Sequence, residues 1–430
     1  MSYALSTVAL AHPSIYPTGV TRYDRSAAYK CDFLFSGPDH KTYLINMDGQ
    51  VIHHWDAEGF PAKMLDPALM EGVRGIVGLQ LSAISVAPGT LGGTGLFPGL
   101  PAVFRNKTIG LVDWNGSVVW SWGERAPGGA ARQHHDWARL ANGNMLVLAN
   151  KSVVIAGFAH SEMLDDVIYE VNPAGHIVWQ WLASEHLDEF GFTPSELELV
   201  RKSPDVDYLH INDLAVLGPN RWEKSSDQRF AADNIMIDSR DANFIIVIRR
   251  STGKVVWRIG PDYPRDPPVA AVPRPVDQIS GQHDAHMIPE GLPGAGDILI
   301  FDNQGEAGYP PVALEVFGGS RVIEIDPVRK EIVWQYYGRS SGQADWAFFS
   351  AFISSAERLP NGNTLIDEGV SGRFFQVTPD GKIVWEYVSP MVGPAGPPLP
   401  GHAPPVSNYV YRVQSVPYTW LPDAPAPKKL

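Results

Sequence analysis

Six times along the chain, a short apolar strand, a tight turn and a strand ending in tryptophan follow one another. The copies are Tyr43–Trp55, Ile109–Trp120, Ile168–Trp179, Phe244–Trp257, Val322–Trp334 and Phe374–Trp385. Such repetition constrains the fold more than any local propensity, because each copy buries its apolar face only against its neighbours. Within a copy the apolar residues alternate, as a half-buried strand requires. Asp48-Gly49, Asn115-Gly116, Ala174-Gly175, Thr252-Gly253 and Asp380-Gly381 supply hairpin turns. Lys330 stands where the fifth copy would have glycine, which predicts a longer or less ideal turn. The tryptophan keeps one parity in every copy, so it is expected to pack between neighbouring sheets.

A second strand pair follows several hairpins. Arg139–Ala149 and Arg358–Asp367 are near copies around Asn-Gly, and Met287–Asp302 is a longer version. Two hairpins per repeat make a four-stranded unit, and six units in a ring make an all-β, six-bladed β-propeller. The tryptophans are 51 to 78 residues apart. A compact blade needs only about 40–45 residues, so the inter-strand loops are long and are expected to carry the function. The 41 Gly and 37 Pro among 430 residues agree. Leu65–Phe104 reads as strand mixed with a long loop, Asp262–Val276 and Pro390–Pro405 as Pro-rich loops, and Asp423–Leu430 as a frayed tail. Only Glu185–Val200 reads as partly helical, broken at Gly191. The expected organisation is an N-terminal extension over 1–31, which forms a small cap or donates a closing strand, a propeller over 32–390, and a Pro-rich segment over 391–430 that wraps it.

A net charge of −13 argues against a nucleic-acid surface, which needs a concentrated basic face. A local Arg/His pocket still admits an anionic substrate. The lone Cys31 excludes an internal disulfide framework. No basic segment precedes the weakly apolar N-terminus, and no run of about 18 apolar residues occurs. A cytoplasmic protein without a membrane span, acting on a small aromatic or anionic molecule, is the expectation.

Aligned on the turns of the second units, His135, His210 and His283 fall on one register, with Ser354 in the following unit. Equivalent positions on different blades point at one place, so the three should converge on the propeller axis. A slip of one residue would put His134 there instead of His135. Asp136 and Asp284 each follow a histidine and Asp213 lies three after His210; they orient imidazoles or cap turns. Three convergent histidines permit two chemistries. One is a divalent transition metal held by His135, His210 and His283, with His286 as a further ligand, activating water or oxygen. The other is nucleophilic or acid–base work on an anionic group. Arg240, in the expected strand Asn234–Arg240 that follows His210, favours a sulfate or phosphate over a cation. Asn212 shares a strand face with His210 and adds a hydrogen bond.

These residues resemble the arylsulfotransferase (aryl-sulfate sulfotransferase) family of six-bladed propellers, from Gly19 to about Val388. The most specific parts are His134–Ala149, Tyr208–Leu217 followed by Asp238–Arg240, and Gly281–His286 before a hairpin ending in Phe301–Gly305. The resemblance implies a ping-pong transfer of a sulfuryl group from an aryl sulfate to a phenol through an axial histidine, without nucleotide or cofactor. His283 resembles that nucleophile, His210 with Asn212 the family's H-x-N element, Arg240 its sulfate-holding arginine and His135 its first-blade histidine. His134, Asn212 and His286 are then expected beside the substrate. Exported members carry a signal peptide and a disulfide, and this chain shows neither. His286 has no counterpart in the family pattern and keeps the metal-dependent alternative open, alongside a non-catalytic ligand-binding propeller.

Overall fold

Each tryptophan repeat closes as a hairpin. Gly49, Gly116, Gly175, Gly253 and Gly381 take φ between 70° and 87°, where a Cβ would be strained. Lys330 adopts the same left-handed region at φ 54°, and its amide reaches back four residues to Asp326. Its turn is longer, as expected, and shares that span with the Arg249–Gly253 turn. The structure, a computed structural model, describes residues 17–83, 106–261, 279–309, 318–394, 403 and 405–422. The loop expected over Asp262–Val276 and the tail Asp423–Leu430 lie outside the described residues, as do parts of Leu65–Phe104 and Pro390–Pro405.

Six antiparallel sheets form the blades of a β-propeller. From the axis outward, blade 2 runs Lys63–Met64, Val77–Ala83, Asn106–Val112 and Val118–Trp122. Blade 3 runs Gln133–Arg139, Met145–Val153, Met163–Val171 and Ile177–Leu182. Blade 4 has Ile211–Val216, Ile235–Ser239, Phe244–Arg249 and Lys254–Ile259. Blade 5 has His283–Met287, Ile298–Asp302, Arg321–Asp326 and Glu331–Tyr336. Blade 6 has Ser355–Arg358, Thr364–Glu368, Arg373–Val377 and Ile383–Val388.

Blade 1 is made by both chain ends. Its outer strands are Asp32–Ser36, Thr42–Ile45 and Val51–Trp55, but its innermost strand is Val413–Val416. The N-terminal segment does not close the ring: Gly19–Tyr23 pairs with the outer edge of blade 6 and covers it. Strands of the propeller therefore come from outside 32–390 at both ends. The helical expectation over Glu185–Val200 resolves into a 3₁₀ turn at Ala183–His186 and a helix at Pro194–Arg201. Between them Gly191 has φ 85°, and the Thr193/Glu196 capping box starts the helix.

Six apolar clusters fill the six seams between blades. Tryptophan also fastens each seam by a hydrogen bond. The indole Nε1 of Trp55, Trp120, Trp181, Trp257, Trp334 and Trp385 donates to a hairpin carbonyl of the next blade: Asp113, Pro173, Gly253, Pro327, Pro379 and Met47. The last bond returns from blade 6 to blade 1. Blade 3 uses Trp181, two residues beyond the Trp179 of the repeat pattern. A one-residue step would have turned the ring to the other face, whereas a two-residue step keeps it on the seam.

Candidate active site on the propeller axis

The strand pairings, followed inward from the tryptophans, make Trp137, Leu214, Ala285, Ala356 and Val413 equivalent. Two residues before these stand His135, Asn212, His283, Ser354 and Tyr411, and the same count in blade 2 reaches Phe60. One residue before them stand Asp136, Asp213, Asp284, Ser355 and Arg412, with Pro61 in blade 2. The axis is thus lined by two successive layers.

This register corrects one expectation. Asn212, not His210, occupies the place of His135 and His283. The innermost strands of blades 3, 4 and 5 all slip at this level, so the slip does not set His210 apart. Counted back from the equivalent hairpin amides of Leu140, Leu217 and Ile288, the same step reaches His135, Asn212 and His283, and the blade 4 hairpin, which spans 217–234, has no tight turn to align on. His210 enters from two residues further out, at φ 50°, and its ring still meets that of His135 at 4.6 Å, edge to face. Between His134 and His135, it is His135 that joins the layer. His135 also packs against Phe60 at 5.3 Å and Tyr411 at 5.9 Å. Phe60 and Tyr411 stack at 3.8 Å, and the Tyr411 hydroxyl donates to the carbonyls of His135 and Asn212.

The histidines carry different charges. Burial pulls His210 down, but the Asp207 carboxylate 2.6 Å from Nδ1, aided by Asp241, outweighs it and raises the pKa from 6.5 to about 9. His210 is an imidazolium at neutral pH. Burial, reinforced by the His210 charge, holds His135 well below 6.5. Burial and the Arg240 guanidinium do the same to His283. The tautomer of His283 follows from Asn303. Its Nδ2 donates to the Ser350 and Ile353 carbonyls, so Oδ1 faces His283 and accepts from Nδ1 at 2.7 Å. Nε2 therefore carries the lone pair, which accepts the Ile353 amide at 3.0 Å.

Arg240 follows the strand Ile235–Ser239. Its backbone amide bonds to the His210 carbonyl and its guanidinium pairs with Asp241. Asn212 is fully buried and donates to the Gln282 carbonyl, while its Oδ1 lacks a protein partner. His134, expected beside the substrate, is fully buried behind His135; the two Nδ1 atoms lie 2.8 Å apart, and Asp166 Oδ1 lies 3.2 Å from His134 Nε2. His286 turns to its neighbour, with Nδ1 donating to the Asp284 carbonyl.

Nor do Asp136, Asp213 and Asp284 orient the imidazoles. Asp136 accepts the Leu214 amide and Asp284 the Ala356 amide, each in the next blade. Arg412 from the closing strand sits among all three: Nη1 is 2.8 Å from Asp136 and 3.3 Å from Asp284, and Nη2 is 3.4 Å from Asp213. Lys63 pairs with Asp136. Burial alone would raise Asp136, but Lys63 and Arg412 hold it well below the usual carboxylate range. Burial and the Asp136 charge push Asp213 well above it.

Tyr411, Arg412, Phe60 and Asn303 were not found from sequence. For the first three no signal exists before ring closure is known; Asn303 lies in the Phe301–Gly305 motif but had no assigned task. The metal alternative fits this donor set poorly. The Asp207 carboxylate engages His210 Nδ1 and the Ile353 amide engages His283 Nε2. Among the described residues no three His, Cys, Asp or Glu side chains are arranged to hold a metal ion. Two surface hollows, of about 340 and 510 Å³, lie at the rim around Trp120 and Trp179, away from this cluster.

Among solved structures, a protein of unknown function from Bacteroides caccae is 11% identical, covering 90% of this chain and 98% of that one, with a TM-score of 0.46. A virginiamycin B lyase from Staphylococcus aureus is 12% identical, covering 86% and 83%, with a TM-score of 0.37. Likeness at this level says nothing about chemistry. No curated protein matches significantly. The arylsulfotransferase (ASST) family model, however, matches residues 42–387, from the second strand of blade 1 to the last strand of blade 6, and the chain belongs to the arylsulfotransferase family.

Proposed function

We propose that this protein moves a sulfuryl group from an aryl sulfate to a phenolic acceptor through a covalent intermediate on His283, with no nucleotide donor and no cofactor. The observation that carries this reading is the division of charge on the axis. One imidazolium, His210, and one guanidinium, Arg240, accompany two neutral imidazoles, His135 and His283. Cations hold the sulfate oxygens, and a neutral imidazole supplies the lone pair.

In the first half, His283 Nε2 bonds to sulfur while the bond from sulfur to the aryl oxygen breaks. That oxygen leaves with the electron pair and takes a proton from an imidazole of the cluster. In the second half, a phenol oxygen attacks the same sulfur, the N–S bond breaks, and the phenol proton returns to the protein. Asn303 keeps the His283 proton on Nδ1, which leaves Nε2 nucleophilic. The Ile353 amide must first release that lone pair. Ile353 and Ser354 have φ 54° and 93°, a costly conformation for a β-branched residue, and the released amide becomes a donor for a sulfuryl oxygen. Half-buried Phe60 offers the aryl ring an aromatic wall.

The test uses p-nitrophenyl sulfate with phenol as acceptor. Nitrophenolate and phenyl sulfate should appear together, and His283→Ala should lower turnover by about 10³-fold or more. Sulfur-35 label should be recovered on the His283 peptide; label on His135 would reassign the nucleophile. Stoichiometric transition metal in the purified protein together with absent turnover would overturn the reading.

A further inference from the structure

Behind the axial layer lies a row of close polar contacts that holding a sulfate does not require, one of them a hydrogen bond and the other an approach that a proton on Asp166 would close. His135 Nδ1 meets His134 Nδ1 at 2.8 Å, and His134 Nε2 lies 3.2 Å from Asp166 Oδ1. His134 and Asp166 are 0% and 2% exposed, and His135 is 5% exposed. Two imidazoles joined through like nitrogens share one proton between them, so the proton on one fixes the tautomer of the other. The far ring nitrogen of His135 is then an acceptor or a donor according to where protons sit two groups away.

We propose that Asp166, His134 and His135 form a buried relay that supplies the proton to the leaving phenolate and recovers it from the incoming phenol. This rests on the sulfuryl-transfer reading. In the donor half, the Asp166 proton passes to His134 Nε2, the His134 Nδ1 proton to His135 Nδ1, and the His135 Nε2 proton to the aryl oxygen as its bond to sulfur breaks. In the acceptor half each proton moves one place back, and Asp166 ends protonated again. The cycle consumes no proton and leaves no net charge on either imidazole.

The surroundings suit both end states. Burial, with Asp207 and Asp165 nearby, pushes Asp166 well above the usual carboxylate range, so it accepts a proton readily. Burial keeps His134 neutral, with a pKa of about 3, and the Ala149 carbonyl also faces its ring. The charged and titratable groups that bear on the relay are Asp165, Asp207, His210 and Arg132 around His134 and Asp166, and His210, His283 and Arg412 around His135. Asp166 Oδ2 accepts the Ile211 amide, a bond that an asparagine at 166 retains through its own oxygen. His135 is a catalytic residue on this view, while His134 and Asp166 act through it.

Two esters with leaving groups of different basicity test this. Phenolate, whose conjugate acid has a pKa of about 10, needs a proton to leave; nitrophenolate does not. Asp166→Asn should lower turnover of phenyl sulfate by about 100-fold and that of p-nitrophenyl sulfate by less than about fivefold, with KM for both unchanged. His134→Gln should show the same split, and serves if the first variant folds poorly. Equal losses on both esters would overturn the relay and leave sulfuryl transfer standing. Wild-type protein that turns over neither ester would overturn both. Nitrogen-15 NMR of the imidazoles gives a readout without substrate: resting wild-type protein should carry the His134 proton on Nδ1 and the His135 proton on Nε2. Asp166→Asn should keep both, because its amide donates to His134 Nε2 as the protonated acid does, and the opposite tautomers in the wild type would also overturn the relay.

Discussion

Rim and axis are built from one repeat and use it in opposite ways. At the rim, six indoles make the same hydrogen bond to the next blade. On the axis, six equivalent positions carry Phe60, His135, Asn212, His283, Ser354 and Tyr411, no two neighbours alike. Sixfold sameness spreads a structural task over six seams, so each bond is worth little alone. Convergence of five kinds of side chain from six blades on one line does the reverse: it gathers chemistry that no single blade contains. The layer directly beneath combines the two roles, since Asp136, Asp213 and Asp284 with Arg412 tie four blades together by charge.

That contrast breaks if axis and rim respond alike to substitution. The largest stability effect is expected at Arg412→Met. Removing one partner from a buried charged network leaves carboxylates uncompensated, which costs about 3–5 kcal/mol; a urea unfolding curve reads it directly. A loss below about 1 kcal/mol would make the lower layer no more important than the rim.

A smaller effect, on function rather than folding, is expected from Asp207→Asn. His210 is raised by Asp207 from 6.5 to about 9. Its charge, and the stability gained from pairing, are fully present below about pH 6.5 and are lost as pH rises through about 9. Wild-type KM for an aryl sulfate should therefore climb above pH 9. In Asp207→Asn the climb should begin at least one pH unit lower, with kcat below that point within about threefold of wild type. Coincident KM profiles would remove His210 from anion binding. The smallest effect belongs to the rim: Trp334→Phe deletes one indole hydrogen bond and should cost about 1 kcal/mol with no change in turnover.

The rim was legible because the sequence states it six times over, in residue types that mark hairpins and seams by themselves. The axis was legible only where histidine and asparagine stood out against apolar strands: His135, Asn212, His283 and, two residues outside the layer, His210. Their partners were not. Asp207 and Asn303 reach the histidines from loops and Asp166 from within the third strand of blade 3, so the adjacent Asp136, Asp213 and Asp284 drew the assignment instead. Tyr411 and Arg412 were hidden for a topological reason. Strand pairing across the ring places residues 411–416 beside residues 32–36, and nothing in a spacing of that size marks a partner.

The closing strand Val413–Val416 has a consequence for synthesis. A ribosome adds residues in order, and blades 2 to 6 can pair internally as they emerge. Tyr411 and Arg412 come last, so both axial layers stay open until residue 416 has left the tunnel and crossed to its partner strand. A truncated or nascent chain thus has blades but neither axial layer complete, and both layers close in one step with completion of the ring.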